Sequence, residues 1–254
     1  MTTHVDRDRA IAALDEVWAR FDDLLAGLDD ADWVRPTPLP GWRVQDVVAH
    51  VVGTESMLLG EPAPDVEIGA ADHVRNDIGR FNEAWVVSMA GLAPAGVLAA
   101  LRDRVARRRE ALQATDDAAW SAEGFTPAGR DTYGRFMRIR VFDTWLHEQD
   151  VRDAVGRPGG EDGPAAELAL EEMAVAMGFV VGKKAAAPPG SRVVIQLTGP
   201  VARSILVEVP SDEGARAAVV DELSGPPTAV LRLPAGVFAR LAGGRVDPAT
   251  QRQL

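Results

Sequence analysis

Ile139–Arg152, IRVFDTWLHEQDVR, decides how the rest of the chain is read. Read as a helix, it puts Asp143 and His147 one turn apart on a single face, with Asp150 and Arg152 just beyond. A carboxylate and an imidazole in that relation can hold one metal ion, with a third ligand supplied from elsewhere. The chain has 4 histidines, His4, His50, His73 and His147. Of these, His50 lies inside another strongly apolar helical pattern, GWRVQDVVAHVVG. The expectation is a helix bundle in which His50, Asp143 and His147 converge.

Outward from this stretch, apolar residues recur at helical spacing over 6–28, with Ile11, Leu14, Val17, Trp18, Phe21 and Leu24 on one side. The stiff loop RPTPLPGW leads into a second helix over 44–59, with Asp46 in its first turn. Further helices are expected over 70–89, 94–114, 132–155 and 164–181. Pro94 suits a first turn, and GRPGGEDG stops the helix that carries the opening stretch. Residues 115–130 read as loop, with a short strand or turn around Phe125. The run KKAAAPPGS reads as a boundary. After it, RVVIQLTG, RSILVEVP and Ala229–Leu233 read as strands, and 234–242 as a helix. The predicted architecture is mainly α: a helical domain over 1–185, then a small α+β domain over 190–254.

Composition narrows the function classes. With 254 residues and 46% hydrophobic content, the chain can bury a sizeable core. It has no apolar run of membrane-spanning length, and its charged N-terminus does not read as a signal peptide. Cysteine is absent, which removes disulfides, thiolate ligands and a cysteine nucleophile, so any thiol chemistry needs an external thiol. A net charge of −11 argues against a nucleic-acid partner. Together these features predict a cytoplasmic protein, monomer or homodimer, that acts on small molecules.

Two imidazoles and one carboxylate suit Zn²⁺ and also Fe, Mn, Co or Ni. Three protein ligands leave positions open, as in catalytic sites. Asp46, one turn before His50, and Asp150, at i+3 from His147, are candidates to orient the ligands from behind. Glu148 points to another face, Glu55 is a remote fourth-ligand candidate, and His73 reads as surface. The arginines at 102, 104, 107, 108 and 109 read as a solvated face. Each residue also has a plainer reading: a satisfied core histidine, or a helix-terminal acid. No G-x-S-x-G, G-x-G-x-x-G, P-loop or H-E-x-x-H occurs.

PLPGWRVQDVVAHVVGTE resembles the P-G-W-x-V-x-D-[LV]-x-x-H signature of the mycothiol-dependent maleylpyruvate isomerase family. FDTWLHEQDVRDAVGRP looks like that family's second motif, and VIQLTG with LRLPAGVFARLAGGR resembles its C-terminal domain. The resemblance implies a DinB-like four-helix bundle followed by a small sterol-carrier-like α+β domain. It also implies a divalent metal, usually zinc, on His50, Asp143 and His147, where Asp143 replaces the usual Glu. Mycothiol would be the thiol, coordinating the metal as thiolate and adding to an electrophile for isomerisation or S-transfer. Arg245 in LAGGRVD is the nearest match to an active-site arginine. Alternatives from other classes are a non-catalytic small-ligand binder with a structural metal, and a metal-dependent hydrolase.

Overall fold

The computed structural model describes residues 2–212 and 216–246. Contacts divide the chain into two compact units, Met1–Gly160 and Glu161–Leu254. The break falls before the helix near 164 rather than at the Pro-rich run near 185–190. Among the described residues no helix is long and apolar enough to cross a membrane.

In the first unit, α1 (Arg7–Ala26) starts where the Asp6 carboxylate accepts the Arg9 N–H at 2.7 Å, and it ends at Gly27. A single turn, α2 (Asp30–Trp33), precedes the Pro-rich loop. That loop folds back on itself: Val44 N–H donates to Arg35 O and Thr37 N–H to Trp42 O, both at 3.0 Å. Gly41 sits at its tip with φ +83°, in the left-handed region that favours glycine. The loop delivers Trp42 immediately before α3 (Val44–Leu58).

Every residue of α3 from Val44 to Ser56 is buried, so this helix is the centre of the unit. It packs against α4 (Asp77–Met89), α5 (Pro94–Gln113) and α7 (Tyr133–Val155). Gly53 lets the Trp85 ring lie directly on α3, since a Cβ there would collide with the ring. α4 begins later than the expected 70 because the Asn76 side chain caps Gly79 N–H and fixes the start. The short α6 (Asp117–Ser121) leads into a hairpin, β1 (Glu123–Thr126) and β2 (Gly129–Thr132), where the sequence suggested only a strand or turn. Thr132 caps α7, and Gly156, at φ 67°, ends it. The N-terminus is tied down: Thr3 gives both its N–H and its hydroxyl to Asp131.

The second unit holds α8 (Gly163–Val175), the single turn α9 (Met177–Phe179) and a π-helical turn over Val180–Lys184. The sequence merges these into one helix over 164–181. The break comes where Gly178 meets the Ala217 backbone, with room for no Cβ (2.7 Å to the carbonyl oxygen). The sheet has order β5-β4-β3-β6, from β3 (Arg192–Thr198), β4 (Arg203–Glu208), β5 (Ala218–Val220) and β6 (Ala229–Pro234). β3 is central, antiparallel to β4 (Ile195 opposite Ile205) and parallel to β6 (Ile195 opposite Leu231). α10 (Ala235–Ala242) follows β6 and packs against α8 and the sheet. β5 carries only three residues, too few for an alternation signal.

Candidate metal centre

His50 on α3 and Asp143 with His147 on α7 come together inside the first unit, one ligand atom from each lying within 4.8 Å of the others. His50 Nε2 is 3.3 Å from Asp143 Oδ2, and His147 Nε2 is 3.6 Å from Asp143 Oδ1. The imidazole rings meet edge to face at 4.7 Å. A tetrahedral ion about 2.0–2.2 Å from each donor holds its ligands roughly 3.3–3.6 Å apart, so these side chains fit such an ion. The histidines are 6% and 5% exposed, whereas the Asp143 side chain keeps 29% of its surface open. The carboxylate is therefore the solvent-facing member of the trio.

The surroundings set the charge states. Burial lowers the His50 pKa, only partly opposed by Asp143, so the ring stays neutral with a lone pair available. Burial also acts against imidazolium at His147, but Asp143 and then Asp150 overcome it and raise the pKa. Burial by itself would raise the Asp143 pKa. Arg140, followed by His147 and His50, instead holds this carboxyl well below the usual range.

Behind the ligands, Asp150 Oδ2 lies 3.0 Å from His147 Nδ1, the geometry of a carboxylate that fixes an imidazole tautomer. Asp46 does not serve His50 in this way. Its carboxylate is taken by the Arg43 N–H (2.8 Å) and guanidinium at the start of α3, and His50 Nδ1 has no hydrogen-bond partner among the described residues. Asp46 closes a capping box with Arg43 in the first turn of α3, which is the helix-terminal reading. Glu55 is likewise no ligand: it is fully buried between Arg108 (3.1 Å) and Arg140 (2.9 Å). Arg140 in turn pairs with Asp143, forming a buried chain Arg108–Glu55–Arg140–Asp143. Glu148 is committed to Arg20 and Arg152.

Arg108 and Arg140 are the residues that sequence reasoning missed. Arg108 belongs not to a solvated face but to the core, at 1% exposure. The signal was present: Val97, Leu101, Val105, Arg108 and Leu112 continue one helical stripe. His73 also departs from its surface reading. Its Nε2 lies 2.8 Å from Glu83 Oε2, the same oxygen that accepts the Trp42 indole N–H at 3.1 Å. Glu83 thereby pins Trp42, whose ring stands 5.3 Å from His50 and 6.4 Å from His147 and walls the site. Arg245 lies in the second unit just past α10, where it donates to the Gly243 carbonyl at 2.6 Å. His4 is exposed near the anchored N-terminus.

The fold and site define a class of helix bundles that present two imidazoles and a carboxylate from facing helices. Residues 14–152 match the family described as "Mycothiol maleylpyruvate isomerase N-terminal domain", and residues 167–253 match its C-terminal domain. The chain belongs to the mycothiol maleylpyruvate isomerase family. An uncharacterised protein of Mycobacterium tuberculosis is 30% identical over 190 residues, 71% of this chain and 69% of that protein. The crystal structure of a mycothiol-dependent maleylpyruvate isomerase shares the fold with a TM-score of 0.62 at 19% identity, covering 96% of this chain and 91% of that one. A histidine-to-alanine mutant of such an enzyme matches at a TM-score of 0.58 and 17% identity, over 95% and 90% of the two chains.

Proposed function

We propose that this chain is a divalent-metal-dependent enzyme that uses a low-molecular-weight thiol, mycothiol, to isomerise or S-conjugate a small electrophile. The observation that carries the reading is the convergence of His50, Asp143 and His147 beside an open cleft, in a chain with no cysteine of its own. The two imidazoles and the carboxylate would hold the ion, and zinc suits this donor set. When bound, the ion supplies Lewis acidity that favours thiolate over thiol near neutral pH.

The chain's own residues do the rest. Asp150 orients the His147 ring, and Arg140 holds Asp143 in its ionised form. Trp42, tethered through Glu83, covers the back of both imidazoles and keeps water from them. Arg108, through Glu55, fixes where Arg140 stands.

The test is metal analysis of the purified protein together with mycothiol consumption against a panel of electrophiles. The wild type should carry about one divalent ion per chain. His50→Ala and His147→Ala should lose it and the thiol-dependent activity together. A metal-free wild type, under conditions that retain zinc in a control enzyme, sinks the proposal. So does turnover that proceeds equally well without thiol, which would point to a hydrolase.

A further inference from the structure

A cleft of about 360 Å³ opens directly onto His50 and Asp143 and is lined wholly by the first unit. That is the size of a site for a small organic molecule. Three elements furnish its walls. α4 contributes Ile78 and Phe81, the hairpin contributes Phe125, and α7 contributes Phe136, Ile139 and Phe142. Phe125 is 70% exposed and Ile78 51%, so large apolar surface is held open to solvent beside the ligand trio. Exposed aromatic surface is costly to maintain unless something binds it.

The charged side chains in this lining are Arg140, Asp143 and Asp77. Among the described lining residues Arg140 is the one guanidinium, and it is already engaged. Its guanidinium is shared among Glu55, Thr144 and Asp143, with Glu55 contacted through both Nε (3.3 Å) and Nη2 (2.9 Å). A carboxylate lying among Ile78, Phe81, Phe125 and Phe136 would be stripped of water with no donor in those walls to replace it.

We infer that the electrophile this cleft takes carries an uncharged aromatic or branched apolar body, in place of the two carboxylates of maleylpyruvate. The inference rests on the thiol-enzyme reading above and specifies its substrate class. An α,β-unsaturated aryl ketone fits. The thiol sulfur bonds to the β-carbon, the double-bond pair moves to the α-carbon, and that carbon takes up the proton the thiol gives up. The aryl group lies among Phe81, Phe125 and Phe136, and the reacting carbons face the ligand trio.

Two measurements test this on the full-length metal-loaded protein. The first compares kcat/KM with mycothiol for benzylideneacetone and for maleylpyruvate, each corrected for its uncatalysed thiol reaction. The second titrates the saturated, unreactive counterparts, benzylacetone and succinylpyruvate, by calorimetry without thiol. The aryl member should win by at least roughly tenfold in both. Phe81→Ala and Phe125→Ala should each lower its binding by about tenfold with metal content unchanged. Phe125 is exposed, so its variant folds whatever happens at Phe81. Preference for the dicarboxylates, or aryl binding indifferent to both substitutions, overturns the inference. If benzylacetone binds as expected but neither electrophile consumes mycothiol, the cleft assignment stands and the thiol-enzyme reading fails.

Discussion

Replacing Glu55 by Gln would test the buried charge chain more directly than any change to a ligand. Glu55 is 0% exposed, Arg108 1% and Arg140 2%, so no water can substitute for the lost charge. The carboxylate receives Arg108 Nε on one oxygen and Arg140 Nη2 on the other. Glutamine keeps the shape but turns its amide nitrogen toward one of two guanidinium groups, setting donor against donor. It also leaves Arg108 without its carboxylate. Breaking one partner out of a buried ionic cluster costs about 3–5 kcal/mol. For a domain of this size each kcal/mol moves the midpoint by about 2–4 °C. The first-unit transition should therefore fall by roughly 6–20 °C in scanning calorimetry. The double variant Glu55→Gln/Arg108→Leu removes the stranded cation as well and should recover part of the loss, so the two changes will not be additive. A shift under about 2 °C for the single variant, or strict additivity in the double, would refute the view that this chain is a desolvated ionic unit.

Further outcomes follow from other contacts. Asp150→Asn should weaken metal binding by about 10–100-fold in competition with a chelator, because His147 loses the carboxylate at its Nδ1. Asp131, whose carboxyl is held below the usual range by Thr3, Thr132 and Arg135 against the opposing effect of burial, anchors the N-terminus. Its folded pKa is depressed, so that anchor is fully present above its unfolded value near about 3.9 and fades only below it. The protection factor of the Thr3 amide, taken against the intrinsic exchange rate at the same pH, should therefore be high at neutral pH, fall below about pH 4, and be low at every pH in Asp131→Asn. Gly53→Ala places a methyl against the Trp85 ring and should cost about 1–3 kcal/mol in chemical denaturation, through overpacking alone.

Much of this molecule is legible in its sequence. The helices beginning near 7, 44, 94 and 133 are legible through apolar periodicity and, for the third, through Pro94 in its first turn. His50, Asp143 and His147 were found because an i, i+4 pair and one histidine in an apolar helix are local patterns. What stayed hidden was pairing at long range. Nothing near Glu55 in sequence says that it faces Arg108, fifty-three positions away, and Arg140, eighty-five away. Asp46 misled because one turn of separation on a helix was read as contact, whereas its carboxylate reached back to Arg43. Arg108 misled because it stands inside a run of exposed arginines, and composition spoke louder than its place on the apolar stripe.

α7 buries Arg140, Thr144, His147, Glu148, Gln149 and Asp150 within three turns. Their partners from outside the helix come from α1 through Arg20, from α3 through Glu55, and from the Gly160 carbonyl after the helix ends. Docking α7 before these neighbours arrive sets the burial of its apolar residues, such as Val141, Trp145 and Val151, against charges stranded in a dry interior. The bundle should assemble all at once, without a populated half-built form. In folding, hiding these charges acts as proofreading: His50 comes from α3 and Asp143 with His147 from α7, so the three ligands stand together only once those helices are docked.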